Sequence, residues 1–590
     1  MQENNEEHNE SKGYYTEIIG VLKQGKLSNY KVNSLKHKLC KKYKLKFIPT
    51  NIQILLYAKQ EDLPKLKYLQ SKPTRSISGV APIALMTAPF KCPHGVCYYC
   101  PGGPGSVFGD VPQSYTGKEP STMRAIRNRY DPYLIVMNRL EQYAVLGHNF
   151  EKADIIIQGG TFTNFPKDYQ ENYVKCIYKA LNDFGKIFYH KDKLNHEKFR
   201  DVFELPCDIY DKERVSRVQE KLLKLKGDIE KIDLENEKKE NQNAKIKCVG
   251  LTIETRADCA KLPHANEMLR FGCTRVEIGV QSVYDEVLDR IHRGHAVSDN
   301  IEAIQILKDL GFKLNFHYMP GLPYEDWKTN KEKDWKGMLQ LFSNQNYMPD
   351  MLKIYPCMVF KGTVLHQMWK KGIFKPYSTL DAVDIIAKFM EHIPEYCRVM
   401  RVQRDIPSYL AEDGVDKTNL RQYIEKRNPK LREIRSREVG HVYRLTGKLP
   451  KNIDTIVREY TASNGKEFFI SAEDIEQDIL VGFVRLRFPS EFLREEITKT
   501  SALVRELHVY GSALNIANNE MNKEKNEKRD GYDEEWQHKG WGKKLMQKAE
   551  KIAKQNGKNK IVIISGVGVR DYYKDKLGYS LEGPYMVKKI

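Results

Sequence analysis

Three cysteines fall within nine residues, Cys92-Pro-His-Gly-Val-Cys97-Tyr-Tyr-Cys100, directly ahead of Pro101-Gly-Gly-Pro-Gly105. Soft thiolate ligands suit iron–sulfur chemistry. A cubane cluster has four irons, so three cysteines leave one iron that the amino and carboxylate groups of S-adenosylmethionine (SAM) can chelate. A structural zinc instead needs a fourth protein ligand, which His94 would have to supply at a cramped spacing. Isolated buried cysteines are common, but they do not usually cluster before a Gly/Pro turn. The stretch favours an iron–sulfur site over zinc.

Such a loop must be held by regular elements that end beside it. From Ile77 onwards apolar strand patterns alternate with amphipathic helical ones. Ala81–Met86 precedes the cysteine loop. Asp154-Ile-Ile-Ile-Gln158 follows a helical pattern around residues 134–146 and ends in Gly159-Gly160-Thr161-Phe162. Residues 249–254 end in Thr255-Arg256, and Arg275-Val-Glu-Ile-Gly279 ends in Val-Gln281-Ser282. Lys313–Tyr318 ends in Met319-Pro-Gly-Leu-Pro323, and residues 351–355 end in Pro356. Repeated β–α units predict a parallel barrel, complete or partial, with its active site at the C-terminal strand ends. Glycines there allow close backbone approach to a ligand, or simply make tight turns.

The chain has 590 residues, too many for one core, so two or three domains are expected. With 41% hydrophobic and 30% charged residues, and no apolar run long enough to span a bilayer, a water-soluble protein is expected. The polar, acidic start is unlike a signal peptide and reads as disordered over about 12 residues. Eleven cysteines without a secretory signal suggest a reducing, cytoplasmic setting, and none lies beyond Cys397. The net charge of +19 favours a polyanionic partner. Nine lysines and no acid lie between Lys23 and Lys46, with Val32, Leu35 and Leu39 at helical spacing. A solvated surface helix is the ordinary reading of such a run. Without neutralising acids a phosphate-backbone contact is the better one. Residues 51–57 read as a buried strand or helix, and residues 1–70 as a basic N-terminal nucleic-acid-binding region.

Residues 71–400 read as the barrel. Within them Val215, Val218, Leu222, Leu225, Ile229 and Ile232 form a heptad-like stripe broken by Gly227, read as an inserted surface helix, with residues 235–245 as a loose loop. Residues 401–455 read as a basic connector containing Arg401-Val-Gln-Arg404 and residues 432–437, suited either to domain packing or to RNA. Residues 456–590 are a different α/β unit. Residues 467–470 and 479–487 read as antiparallel strands, and Val504-Arg-Glu-Leu-His-Val-Tyr-Gly511 as another. After a charged loop at residues 515–535 comes Gln537-His-Lys-Gly540-Trp-Gly542, opening a helix at Lys543. A Gln-x-x-Gly-x-Gly turn at a helix start offers free N–H groups to a pyrophosphate. A strand at residues 560–565 and a helix opening at Arg570-Asp-Tyr-Tyr-Lys574 follow. This order resembles the GNAT acetyltransferase fold, whose glycine turn holds coenzyme A.

A three-cysteine loop on a barrel joined to a GNAT-like unit is similar to the catalytic subunit of Elongator, the tRNA uridine 5-carboxymethyltransferase family. The resemblance runs from about Lys72 to Ile590. It rests on Lys72-Pro-Thr-Arg-Ser-Ile-Ser-Gly-Val-Ala-Pro82, the cysteine loop, Gln113-Ser-Tyr-Thr-Gly-Lys-Glu-Pro120, Met123-Arg-Ala-Ile-Arg127, Glu277-Ile-Gly-Val-Gln-Ser282, Val402-Gln-Arg-Asp-Ile-Pro407, Arg505-Glu-Leu-His-Val-Tyr-Gly511 and Gly583-Pro-Tyr-Met-Val587.

The resemblance implies an α/β architecture, a partial TIM-like radical SAM barrel joined to a GNAT domain, and an acyltransferase that uses a [4Fe–4S] cluster, SAM and acetyl-CoA. Cys92, Cys97 and Cys100 would ligate the cluster, at C-x4-C-x2-C spacing. Gly159, Gly160, Thr161, Glu254 and Gln281 would meet SAM. Acetyl-CoA contacts map onto Lys152, Glu506, Leu507, His508, Val509, Trp541, Gly542, Lys543 and Tyr573, with Gln537 and Gly540 from the glycine turn. Lys152 lies in the barrel half and would link the two centres. Tyr572 and Tyr573 are the catalytic candidates, against a bland reading as core aromatics. The implied product is a carboxymethyl group on carbon five of the wobble uridine, the substrate partner the anticodon stem–loop of tRNA, and the protein partners other Elongator subunits or a second copy. Some members of the family carry extra cysteines, suited to zinc, where this chain has residues 432–438; here His441 is without thiolate partners and no second metal is expected. A protein lysine acetyltransferase with a structural cluster and a non-catalytic tRNA scaffold are the competing readings.

Overall fold

The computed structural model describes residues 13–45, 48–59, 61–69, 79–205, 211–427, 429–510 and 540–590. The readings made above for residues 1–12, 70–78, 511 and 515–535 and for Gln537 lie outside the described residues. The chain forms two units. One comprises residues 1–81, 133–153 and 175–247, the other residues 82–132, 154–174 and 248–590.

In the first unit, helix α1 (Asn29–Lys42) starts at Ser28, whose hydroxyl accepts from Lys31 N–H. It buries Val32, Leu39 and Cys40 against Tyr14, Ile18, Leu22 and Ile54. Residues 51–57 form a helix, begun by a reciprocal Thr50–Gln53 capping box. Lys31, Lys38, Lys41 and Lys42 face solvent, as the spacing of the apolar residues predicts. Lys36 turns inward instead, and its ammonium bonds to Asn51 Oδ1 at 2.5 Å.

The heptad-like stripe is shorter than its pattern. Helix α2 (Lys212–Lys226) stops at Gly227, which sits at φ +70°. Only Val218 and Leu222 of its apolar positions are buried, and Leu225 is exposed. The expected loose loop at residues 235–245 is largely helix α3 (Leu234–Asn243). Asp233 caps it by accepting from Asn236 N–H at 2.8 Å, and buried Asn241 donates to Asn182 Oδ1 and the Ile246 carbonyl. The helix is specified by its cap and one buried amide rather than by an apolar face, so periodicity misses it.

The second unit is built on two seven-stranded sheets. The first contains β1 (Ala81–Met86), β2 (Lys152–Gln158), β3 (Lys247–Thr255), β4 (Arg275–Gln281), β5 (Lys313–Tyr318), β6 (Met351–Ile354) and β7 (Arg398–Val402), in sequence order across the sheet. From β3 to β7 neighbouring strands run parallel. The sheet is open, a partial barrel. Strand β7 runs across residue 400, so Arg401 is part of the barrel sheet. Its arginines hid it from a reading based on apolar runs.

The second sheet contains β8 (Asp454–Ala462), β9 (Gly465–Asp474), β10 (Ile479–Phe488), β11 (Ser501–Val509), β12 (Lys560–Ile564), β13 (Ser580–Glu582) and β14 (Tyr585–Lys589), in the order β8-β9-β10-β11-β12-β14-β13. All neighbours are antiparallel except β11 and β12. Helix α4 (Trp541–Gln555) buries Trp541, Leu545, Met546, Ala549 and Ile552 against this sheet.

Charged side chains join the two sheets. Arg505 reaches Asp350 and Glu467, Arg487 reaches Asp309 and Glu467, and all five are fully buried. Arg505 also donates to the Phe312 carbonyl at 2.8 Å, and Tyr585 to that of Leu310 at 3.0 Å. The connector is held the same way. Buried Glu433 pairs with Arg421 at 2.7 Å and accepts from Val399 N–H, while Arg437 bridges Glu473 and Asp478. At residues 432–438 this chain therefore has buried ion pairs, and Glu433 and Arg437 serve packing rather than RNA.

Candidate active site

The cysteine loop follows β1 and is pinned through the backbone of Tyr98. Tyr98 N–H donates to the Ile291 carbonyl, and the Tyr98 carbonyl accepts from Leu365 N–H, both at 2.9 Å. Cys97 and Cys100 are buried beside Leu288, Ile291, Met319 and Leu322, and Cys92 is partly exposed. Each thiol faces a polar partner. Gln113 Nε2 donates to Cys100 Sγ at 3.0 Å, Ser114 Oγ lies 3.3 Å from the same sulfur, and His94 Nε2 is 3.2 Å from Cys97 Sγ. Arg293 donates to Cys97 Sγ at 3.6 Å, and Thr161 Oγ1 lies 3.7 Å from Cys92 Sγ. Burial pushes the Cys92 thiol up to about 11 and raises that of Cys97, where the Arg293 guanidinium opposes it. Thiolates here need positive charge, which a cluster supplies.

The donor set fits a three-thiolate cubane, with N–H groups directed at sulfur in the outer shell. Among the described residues no three His, Cys, Asp or Glu side chains gather as for a single metal ion. Gly102 fixes the loop against the following segment: a Cβ there would lie 1.8 Å from the Tyr115 carbonyl oxygen. Gly102→Ala is expected to displace the loop and to lower iron bound per chain after reconstitution, measured by iron and sulfide analysis.

A cavity opens beside the loop, lined from β2 to β7, from residues 99–121 and from residues 404–406. Glu254 and Gln281 line it, as expected for strand-end residues; Gly159, Gly160 and Thr161 do not, but place Thr161 against Cys92. Gly159 sits at φ +132° where a Cβ would meet Thr87 Oγ1 at 1.9 Å. Gln281 holds the left-handed φ of +65°, and its buried Oε1 has no hydrogen-bond partner. An orphaned acceptor on strained backbone at the edge of this cavity fits a ligand with N–H donors, as SAM has. Glu254 Oε2 accepts from Tyr115 OH at 2.9 Å.

Sequence reasoning assigned no chemistry to the deepest charges. Glu277 is bonded by Lys353, by His317 Nε2 at 3.1 Å and by Asn315 Nδ2 at 3.1 Å. Burial alone would raise its pKa, yet Lys353 and His317 hold it well below the usual carboxylate range. Arg404 stacks over Tyr115 and Tyr355 and donates to the Ser114 carbonyl. The Glu277 and Arg404 motifs marked the resemblance, but only the strand register reveals that they converge.

In the second sheet, β11 pairs with β12 only from Ser501 to Val504. At that point the β10–β11 register slips and Arg505 becomes an extra residue. Beyond it, among the described residues, no strand pairs with residues 505–509 on the β12 side. That splay leaves the backbone of Glu506, Leu507, His508 and Val509 open to an extended ligand. The Glu506 side chain is committed elsewhere, to Arg485 at 2.9 Å and Lys313 at 3.9 Å. Burial pushes His508 down to about 4.

At the mouth of the splay, Gly540 takes φ +71° and α4 begins. The first intrahelical bond is Lys544 N–H to the Gly540 carbonyl, so the N–H groups of Trp541, Gly542 and Lys543 have no intrahelical acceptor. Lys543 and Lys544 are exposed and no acid stands in the first turn, an arrangement that favours an anion. The Trp541 side chain itself belongs to the core. The tyrosine pair separates. Tyr572 is 40% exposed, and a Cβ on Gly542 would lie 2.7 Å from its hydroxyl. Tyr573 is 6% exposed and packs in the core against Tyr579, so the core-aromatic reading holds for it. Lys152, the first residue of β2, belongs to the other unit; burial lowers its ammonium pKa.

Four family models match the chain in turn: the ELP3 N-terminal domain over residues 13–77, the Radical SAM superfamily over 88–332, the Radical SAM C-terminal domain over 349–429 and the Acetyltransferase (GNAT) family over 441–579. A "tRNA uridine(34) acetyltransferase" from Methanocaldococcus infernus is 42% identical over 97% of this chain and 98% of its own. The Elongator complex protein 3 of Saccharomyces cerevisiae is 39% identical over 97% and 94%. The chain belongs to the Elongator complex protein 3 family. A solved structure of the archaeal M. infernus Elp3 lacking residues 1–46 superposes with a TM-score of 0.67 at 37% identity, over 87% of this chain and all of that one. The radical SAM part of an Elp3-family chain uses a [4Fe–4S] cluster and SAM, and the GNAT part acetyl-CoA. No helix among the described residues is long and apolar enough to cross a membrane.

Proposed function

We propose that this Elp3-family chain modifies the wobble uridine of tRNA, building a 5-carboxymethyl group from the acetyl group of acetyl-CoA. The observation that carries the reading is the combination, in one unit, of a three-thiol loop beside a polar cavity with a splayed GNAT strand. The printed names of the relatives, tRNA uridine(34) acetyltransferase and Elongator complex protein 3, support it. When bound, the reduced cluster and SAM would supply a 5′-deoxyadenosyl radical able to take a hydrogen atom from the acetyl methyl; the acetyl carbon would then bond to C5 of the uracil, the C5 hydrogen leaving as a proton and the surplus electron returning to the oxidised cluster, and water would release CoA from the thioester.

The chain's own residues bind and orient. Glu254 and Gln281, with the Gly159–Gly160–Thr161 turn, would hold SAM. The backbone of residues 506–509 would pair with the pantetheine amides, and the N–H groups of Trp541, Gly542 and Lys543 would hold the pyrophosphate. The apolar wall around Cys97 and Cys100 excludes water, which limits side reactions of a radical. The exposed lysines of α1 would hold the RNA backbone.

Of the tyrosine pair, Tyr572 takes the role at the thioester, because only it is exposed beside the open helix N-terminus. Tyr572→Phe is expected to keep the fold and slow product formation by roughly 10²-fold, the scale of a lost proton donor. Tyr573→Ala is expected instead to cost about 3–5 kcal/mol of stability, as for a large core aromatic. Steady-state turnover and thermal unfolding of both variants separate these outcomes. The proposal as a whole is tested by anaerobic turnover with dithionite, SAM, acetyl-CoA and unmodified tRNA, followed by nucleoside mass spectrometry. 5-Carboxymethyluridine is expected. A full cluster with no modified uridine, and acetyl groups on lysine instead, would favour the protein acetyltransferase reading.

A further inference from the structure

Arg293 is a buried cation without an anion. It is 7% exposed; Nη2 donates to the Gly279 carbonyl at 2.8 Å, and Nη1 is directed at Cys97 Sγ, 3.6 Å away. Its Nε has no hydrogen-bond partner, and among the described residues no carboxylate pairs with the guanidinium. Arg256, just past β3, shows the ordinary arrangement, with Asp258 against its guanidinium at 2.8 Å. A guanidinium taken out of water is costly unless an opposite charge lies against it. A neutral thiol and a peptide carbonyl do not supply one.

The segment that carries Arg293 is built onto the cysteine loop. The Ile291 carbonyl accepts from Tyr98 N–H, and Arg293 N–H donates to the Leu288 carbonyl, both at 2.9 Å. Gly294, at φ +74°, passes so close to the loop that a Cβ would lie 2.4 Å from His94 Cβ. The charge is therefore held at Cys97 by backbone contacts on either side of it.

The anion that fits this cation is the cluster. A cubane core bound by three thiolates carries net negative charge, and one-electron reduction adds another. A fixed positive charge beside a ligand sulfur stabilises the reduced state more than the oxidised one. His94 and Gln113 act in the same direction as neutral donors, at 3.2 Å from Cys97 Sγ and 3.0 Å from Cys100 Sγ. A thiolate can only accept, so in the loaded protein His94 carries its proton on Nε2.

We infer that Arg293 is the built-in counter-ion of the cluster and raises its reduction potential, easing entry of the electron that SAM cleavage consumes. The inference rests on the radical SAM cluster and stands apart from what the radical is used for.

The test is an anaerobic redox titration of the reconstituted full chain against dithionite, followed by electron paramagnetic resonance of the reduced cluster, without tRNA or acetyl-CoA. Arg293→Met removes the charge, and Arg293→Gln removes it while keeping an N–H donor. Both are expected to lower the ratio of reduced to oxidised cluster at a fixed potential by about tenfold or more, a fall in midpoint of about 59 mV per tenfold for one electron. Arg293→Lys, which keeps the charge, is expected to restore most of the loss. A merely structural role at Gly279 would give all three variants the same midpoint. Iron and sulfide content and thermal unfolding show which variants are loaded and folded. Loaded Arg293→Met and Arg293→Gln with the wild-type midpoint overturn the inference, as does an Arg293→Lys midpoint as low as theirs. If no variant holds a cluster, the wild type decides. Pulsed resonance of its reduced cluster after labelling with ¹⁵N-arginine is expected to show a coupled nitrogen, and absence of that coupling overturns the inference.

Discussion

Cys97→Ser is expected to abolish 5-carboxymethyluridine formation and 5′-deoxyadenosine release together, with iron content falling to background. Cys97 is buried, with His94 and Arg293 both directed at its sulfur. A serine hydroxyl is a poor iron ligand and would leave the buried Arg293 guanidinium facing a neutral oxygen. Arg293 keeps its bond to the Gly279 carbonyl at 2.8 Å, so the barrel should hold its shape. Among the described residues, the core around Cys97 and Cys100 includes no side chain of the GNAT half. Acetyl-CoA affinity, measured by calorimetry, is therefore expected to stay within about twofold of wild type. Loss of modification with retained acetyl-CoA binding separates the radical reading from lysine acetylation, which would survive the substitution.

Arg505→Ala is expected to be the most destabilising single change outside the cluster. Its guanidinium neutralises Asp350 and Glu467 where neither carboxylate is exposed. Removing it leaves two buried anions short of a partner, at a cost of about 3–5 kcal/mol. Arg485, 3.5 Å from Asp350, and Arg487, 3.1 Å from Glu467, limit the loss but cannot replace the bidentate contact. Arg505 is also the extra residue where β11 diverges from β12. The same change should therefore disturb the splay and weaken acetyl-CoA binding. Thermal unfolding and acetyl-CoA titration of one variant read both effects. Unaltered unfolding would mean that the network does not join the sheets.

The network also sets an acid limit. Burial would raise Asp350, but Arg505, Lys308 and Arg485 hold it down at about 2. A carboxylate whose folded pKa lies below its unfolded value of about 3.9 stabilises the protein above that value. The contribution is lost as the pH falls from about 4 towards 2. Unfolding measured across that window should show a steep loss of stability in the wild type and a shallower one in Arg505→Ala.

The strands of the barrel were legible because parallel, doubly covered strands are continuous apolar runs. Six of the seven appear in the sequence close to their observed bounds. Strand β7 was not legible, because its side chains answer to Glu438 and to the cavity rather than to a core. Helix α3 was hidden for the related reason that a cap and a buried amide specify it. The cysteine triplet announced itself by spacing alone. The residues that complete its surroundings, Gln113 and Arg293, carry no such signature, since their roles depend on distances across the fold. The tyrosine pair marks the limit most clearly: adjacent identical residues differ in exposure because one follows the core face of a π-helical turn and the other does not.

The measurement that bears most directly on the account is turnover with acetyl-CoA carrying a fully deuterated methyl group. The account predicts one deuterium in the released 5′-deoxyadenosine and two in the carboxymethyl group of the modified uridine. Unlabelled 5′-deoxyadenosine, or a product that retains all three deuteria, would contradict it, because the radical would then not have acted on the acetyl carbon.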